Sequence, residues 1–267
     1  MRRMQWVLLA CMLWLPTAAT AANFADTLRT TVRGYVNDPQ FGGLATVADR
    51  QADNYVKLIQ GALRNSRGLK IDVILDKHEY LSRNGVQAER DVAQSQDLVY
   101  SILDSRHYDV IGVEGGDEEA LSVDAMFASA VRMSQEQLGY VDSTILRRNL
   151  AMVVASNGVL RYLADHPRPA VGVEVIDLTA LHNAVLDELE NGPRGQGPEA
   201  DQLNTLNLTL SRARSFVAVA KVINKLRAVK GTHGCLVIGL YHGNDLRQIL
   251  TKYGLLGEVI NTTQSAQ

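Results

Sequence analysis

The sequence predicts an α/β fold: a mostly parallel central sheet covered by helices on both faces, with a helical insertion or cap. Three observations carry this. Short apolar runs rich in β-branched residues recur along the chain, amphipathic stretches of helical period separate them, and no solenoid repeat or low-complexity tract competes with the pattern. Strands that alternate with helices favour parallel pairing, because each crossover passes over a face of the sheet.

The elements follow in order. Leu44 to Leu63 repeats at helical spacing, with Val47, Tyr55, Leu58, Ile59 and Leu63 on the expected inner face, and Gly68 ends it. Leu69 to Leu75 (LKIDVIL) reads as the first strand. Val86 to Leu103 is a helix facing inward through Val92, Leu98, Val99 and Ile102, and Tyr108 to Val113 is the second strand, stopped by Glu114-Gly115-Gly116. Helices are expected over Glu118 to Met133 and Ser143 to Ala164, an insertion of about residues 118–164 punctuated by Pro167 and Pro169. Ala170 to Ile176 is the third strand and Leu178 to Leu189 a helix that Asp177 is expected to cap. Asn191 to Pro198 is the clearest loop. A long helix over Ala200 to Val229, a fourth strand over Gly234 to Leu240, a short helix over Leu246 to Tyr253 and a last strand at Glu258 to Asn261 complete the order, and residues 262–267 form a loose polar tail.

The first residues predict export. Arg2 and Arg3 precede the apolar run Trp6 to Leu15, Pro16 breaks that run, and Ala19-Thr20-Ala21 places small residues where a signal peptidase reads. The run is ten residues, whereas a spanning helix needs about 20. Cleavage after Ala21 is expected, in preference to a lipoprotein signal at Leu8-Leu9-Ala10-Cys11. Residues 22–261 then form a single α/β domain, periplasmic or extracellular, with no stable membrane span after signal removal. A net charge of −2 gives no reason to expect a nucleic-acid partner. Cys11 leaves with the signal, so the mature chain has no internal disulfide, and Cys235 in its apolar run reads as a small core residue.

In open parallel sheets, ligands bind beyond the carboxyl ends of the strands. Each of the four clearest strands delivers a titratable group to that rim: Asp76 and His78 after the first, Glu114 after the second, Glu174 near the end of the third, and Tyr241-His242 after the fourth. His78, His242 and Glu114 make a His/His/carboxylate set, which suits a divalent transition metal with one position left open. Gly239 allows a sharp turn before His242. Each residue also has an ordinary reading. Either histidine suits a solvated loop, Glu114 a helix-start carboxylate, Glu174 an ion pair with an arginine, and Tyr241 packing.

The segment Gly239-Leu240-Tyr241-His242-Gly243, followed by Leu246 and Leu250, resembles the C-terminal GxxH motif of the TraB/Tiki/ChaN-like superfamily, to which erythromycin-esterase-like proteins are related. Val110 to Gly115 resembles that family's second strand, and Gly172-Val173-Glu174 its third. Arg214-Ser215 is similar to an Arg-Asn pair seen in many members, with Ser215 in place of Asn. Members usually carry Gly-Glu-x-His or Gly-x-x-His at the first motif, whereas this chain has Leu75-Asp76-Lys77-His78, and a leucine is expected to resist the backbone that the glycine adopts.

The resemblance implies a parallel α/β fold and, in Tiki-like members, metal-dependent peptidase activity; ChaN-like members are associated with haem. Two readings follow. One is an exported hydrolase acting on a peptide or small molecule with manganese, cobalt or zinc, with His78 and His242 as ligands, Glu114 as a third ligand or the base, Asp76 and Glu174 as bases or supports, and Arg214 stabilising negative charge or pairing with Glu174. The other is a non-catalytic protein that holds haem or another ligand through His242 or Tyr241 beside Gly239.

Overall fold

The computed structural model describes residues 24, 26–77, 86–114, 121, 131, 135 and 157–263. The expected signal segment, the 262–267 tail beyond Thr263, and most of the expected 118–164 insertion lie outside them, as do His78, Gly115 and Gly116. The described residues fall into two compact units, one reaching to Ser66 and including Val175–Ala220, the other comprising Arg67–Glu174 and the chain from Lys221 on.

The second unit is built on a five-stranded sheet, entirely parallel, as the alternating pattern predicts. Its strands are β1 (Lys70–Asp76), β2 (Val110–Val113), β3 (Ala170–Gly172), β4 (His233–Gly239) and β5 (Leu256–Asn261), in the spatial order β3-β2-β4-β1-β5. Asp76 pairs with Gly239 and Val113 with Val237, so the carboxyl ends of β1, β2 and β4 share one edge.

Helices cover both faces. On one face, Val99 and Leu103 of α3 (Val86–Ser105) and Val159 and Tyr162 of α4 (Gly158–Asp165) pack with Ile74, Ile111, Val113, Cys235 and Val237. On the other, Val222 and Leu226 from the end of α6 (Ala200–Ala228) press against Gly112 and Gly234, and Gly243 at the start of α7 (Gly243–Lys252) lies against Leu75. A Cβ on Gly112 would come within 2.5 Å of Val222 Cγ2, so the glycine sets how closely helix and sheet approach. Cys235 is a free, fully buried core residue whose thiol pKa is pushed up by burial.

In the first unit, a helix α1 over 26–33, α2 (Gly42–Arg64), α5 (Ile176–Asn191) and the first part of α6 bury Leu28, Val32, Phe41, Leu178, Leu181, Leu203, Leu206 and Leu210. Asp38 accepts hydrogen bonds from the Gln40 and Phe41 amides and pairs with Arg194, which holds the turn before α2.

Four details depart from the sequence reading. The buried stripe of α2 runs through Ala45, Ala48, Ala52, Ile59 and Ala62, while Val47 is exposed; small side chains rather than the bulkier apolar ones make the contact. Leu98 of α3 is likewise exposed, and Ser95 and Gln96 take the inner face. Of the helix expected from Ser143 to Ala164, the described part begins at Gly158, because Asn157 lies outside helical geometry and its side chain accepts the Leu160 amide as an N-cap. The third strand ends at Gly172 instead of Ile176. The carbonyls of Gly172 and Glu174 accept from Lys221 Nζ at 3.2 and 2.9 Å, and Ile176 begins α5, with Val175 rather than Asp177 at the N-cap.

Candidate functional site

The rim is created by topology. From β1 the chain crosses toward β2, and from β4 it crosses toward β5, although β1 and β4 are neighbours. Right-handed crossovers in opposite directions put the two following helices, α3 and α7, on opposite faces. The carboxyl ends of β1 and β4 therefore border a topological switch point, where parallel α/β sheets bind ligands.

Two of the expected residues meet there. After β4 the chain makes a single 3-10 turn over Leu240–His242, which turns the His242 side chain inward, 6 % exposed. Its Nε2 lies 3.3 Å from Glu114 Oε1. Glu114 follows β2 directly, and its amide donates to Val237 O at 3.1 Å, extending the ladder by one bond. The Gly239 amide donates to Glu114 Oε2 at 2.7 Å. That bond occupies one carboxylate oxygen and leaves the other facing the imidazole. Gly239 thus acts through its backbone.

Asp76 ends β1 and is 6 % exposed. Gln96 Nε2 donates to its Oδ2 at 2.8 Å and to Lys77 O at 3.1 Å. Leu75, which the sequence leads one to expect in a strained backbone, is an ordinary strand residue paired with Ile238 and Asn261. Among the described residues the only positive-φ side chain is Lys230, so the expected backbone strain at Leu75 does not arise. Its side chain fills the space left by Gly243, where a Cβ would come within 2.7 Å of Leu75 Cδ1.

Glu174 lies just past β3, half-buried, with its carbonyl held by Lys221. Tyr241 is 86 % exposed. Arg214 belongs to the first unit, where its Nη1 lies 3.2 Å from His182 Nδ1, and Ser215 is fully buried with its hydroxyl donating to Ser211 O. An open cleft in the first unit, lined by Tyr35, Asn37, Asp38, Arg194 and Glu199, has its charges spent on one another, since Arg194 pairs with both carboxylates.

The donor set fits a metal in part. Nitrogen and oxygen ligands at about 2.0–2.1 Å from a tetrahedral ion sit roughly 3.3–3.4 Å apart, and Glu114 Oε1 and His242 Nε2 are separated by 3.3 Å. Among the described residues no group of three His, Cys, Asp or Glu side chains is poised to hold an ion. A third ligand has to come from elsewhere, and the expected one, His78, is outside those residues.

Sequence reasoning missed Gln96, Ser95 and Lys221. Each leaves a signal: Ser95-Gln96 interrupts the apolar stripe between Val92 and Val99, and Lys221 is a lone charge within Phe216 to Ile223. A further cluster at the opposite edge was missed as well. Asp72, 5 % exposed, accepts from the Glu258 amide at 2.8 Å and from Tyr108 Oη at 2.9 Å, with Arg106 Nη1 at 3.4 Å and His233 Nε2 at 3.3 Å. Burial alone would raise its pKa, but the Glu258 amide, the Tyr108 hydroxyl and His233 hold it below the usual carboxylate value.

No protein-family model matches the chain, and no curated protein or solved structure is significantly similar to it.

Proposed function

We propose that this chain is an exported, metal-dependent hydrolase of the TraB/Tiki-like type, acting on peptide bonds at the carboxyl edge of the sheet. The observation that carries the reading is the buried approach of Glu114 Oε1 to His242 Nε2, 3.3 Å apart at the switch point, between residues 128 positions apart in the chain (242 − 114). A carboxylate and an imidazole placed together by two different strand exits are costly to desolvate, and a shared ligand offsets that cost.

In this reading Glu114 and His242 hold a divalent ion, manganese, cobalt or zinc, with His78 as the third ligand. The ion supplies Lewis acidity, polarising a scissile carbonyl and acidifying water. The chain's own residues do the rest. The Gly239 amide fixes the Glu114 carboxylate so that one oxygen faces the site. Asp76, held by Gln96, is the base that takes a proton from water, and Glu174, past the end of β3 beside the β2 exit that carries Glu114, is the alternative base. The reading rests on the second unit alone and gives Arg214 no step. Export rests on Arg2, Arg3 and the apolar run that follows them.

The test is turnover of a peptide library by the mature chain. Hydrolysis that chelator abolishes, that added manganese or zinc restores, and that Glu114→Gln and His242→Ala both lose supports the reading. Chelator-insensitive turnover, or none under any metal, overturns it.

One observation favours a ChaN-like haem-binding reading instead: the Tyr241 ring is exposed at the rim and free to approach a flat ligand. A haem Soret band that disappears in Tyr241→Ala while chelator changes nothing would select it.

A further inference from the structure

We propose that the open cleft of the first unit binds a neutral, polyhydroxylated ligand, a sugar of disaccharide size. The proposal does not rest on the hydrolase reading, which uses the second unit alone.

One wall of the cleft is the glycine-rich loop after α5, to which the rim chemistry gives no role. Gly192 and Gly195 let that loop fold tightly onto the end of α5. A Cβ at Gly192 would run into the Glu188 carboxylate, and one at Gly195 into the Leu189 carbonyl. Glu188, 6 % exposed, accepts the Arg194 amide at 2.9 Å and the Gln40 carboxamide at 2.8 Å, which ties the loop to the turn before α2.

These anchors fix Arg194 in the cleft. Its Nη1 and Nη2 donate to the two oxygens of Asp38 at 3.2 and 2.9 Å, and Nε donates to Glu199 Oε2 at 2.7 Å. Its Cζ lies 5.2 Å from the centre of the Phe41 ring. A guanidinium held along its edges and over one face is preorganised. The cleft beside it measures about 670 Å³, within the range of about 300–1,000 Å³ usual for small-molecule sites.

The lining selects the class of ligand. Arg194 is neutralised by two carboxylates, so the cleft offers no spare positive charge to an anion. A cationic ligand would have to displace Arg194 from Asp38. What remains is directional and mostly neutral. Among the described residues, the Tyr35 hydroxyl, the Asn37 and Gln202 carboxamides and Glu199 Oε1 line the cleft without a hydrogen-bond partner in the chain. Burial pushes the Tyr35 phenol above its usual pKa, so it stays a donor at neutral pH. Sugar hydroxyls donate and accept at once, which matches such a mixed set. The half-buried Tyr35 ring supplies the apolar surface that the C–H face of a pyranose needs.

The experiment is isothermal titration calorimetry on the full mature chain. Maltose, cellobiose and N,N′-diacetylchitobiose are the neutral probes, and glucose 6-phosphate and spermidine the charged ones. At least one neutral probe is expected to bind with a Kd below about 1 mM, more tightly than either charged probe. Tyr35→Phe keeps the ring and removes the hydroxyl, and Gln202→Ala truncates an exposed side chain, so both are expected to fold by circular dichroism. Each should weaken the neutral probe about 2–10-fold, and the double variant should be weaker than either. Glu114→Gln should leave the affinity within about twofold of wild type. Amide shift changes on adding the probe should fall on residues 34–38 and 194–205.

No neutral probe binding below about 1 mM overturns the proposal, as does tighter binding of a charged probe. A folded double variant that binds as wild type does also overturns it, and so do shift changes that miss both segments. An affinity lost in Glu114→Gln but kept in the double variant would place the sugar at the rim, against the proposal.

Discussion

Asp72 is the sharpest test of how the sheet is held. Its carboxylate accepts from the Glu258 amide of β5 at 2.8 Å and the Tyr108 hydroxyl before β2 at 2.9 Å, and His233 of β4 lies 3.3 Å away, so one side chain of β1 ties three other strands or their approaches. Asp72→Ala leaves the buried Tyr108 hydroxyl and the Glu258 amide without this acceptor. Hydrogen bonds to a charged group contribute about 1.5–3 kcal/mol each, and breaking one partner of a buried pair costs about 3–5 kcal/mol. Arg106 and His233 are partly exposed and regain water, so the expected loss is at the lower end, about 3–4 kcal/mol. With about 2–4 °C per kcal/mol for a chain of this size, the thermal midpoint should fall by about 6–16 °C. The effect depends on pH in a stated direction. The folded pKa of Asp72 is depressed, so its contribution is full above the unfolded value of about 3.9 and is lost as pH falls through the folded value. Urea melts at pH 7, 5, 4 and 2.5 should show a constant gap between wild type and variant at the two higher values and a shrinking gap below. A gap under 1 kcal/mol at pH 7, or one unchanged at pH 2.5, refutes the reasoning.

The same carboxylate explains why residue 257 is glycine. A Cβ there would lie 2.0 Å from Asp72 Oδ1, so Gly257→Ala should destabilise wild type by about 1–3 kcal/mol and cost much less in the Asp72→Ala background, a coupling that urea melts of the four chains would measure. Gly158→Ala would bring a Cβ within 2.1 Å of the Gln96 carbonyl oxygen, which backbone cannot easily yield, and should lower stability by about 1–3 kcal/mol in the same assay. Gly243→Ala meets only the flexible end of Leu75, so the milder loss should be largely relieved by Leu75→Val, and a double variant no better than the single would show that the close approach lies elsewhere.

The strands were legible because each is a buried apolar run between punctuation residues, and parallel pairing then forced Asp76, Glu114 and Gly239 to one edge. That is why Glu114 and His242 could be paired from sequence although they stand far apart. Spatial order was not legible: nothing in the residues of β4 says that it inserts between β2 and β1, since β2, β4 and the centre of β1 (Val73 to Leu75) are all apolar on both faces. The end of β3 was misplaced because Val173, Val175 and Ile176 look like strand residues, while the group that turns the chain, Lys221, lies 45 residues beyond Ile176 (221 − 176). The α2 stripe was misplaced because alanine carries little weight in a hydrophobic pattern yet packs closely. Gln96 and Asp72 were missed for one reason: a polar residue inside an apolar element announces nothing about its partners, which only the fold supplies. Leu75 shows the converse: the backbone strain expected there does not arise, because the residue is an ordinary part of β1 packed against Gly243.

If Glu114 and His242 share a ligand rather than merely pair with each other, the full mature chain, loaded with zinc or manganese and then dialysed, should keep a stoichiometric ion on metal analysis. Both His242→Ala and Glu114→Gln should lose it while remaining folded. A wild-type chain that keeps no ion, or a His242→Ala chain that keeps as much as wild type, leaves the two side chains as a simple pair.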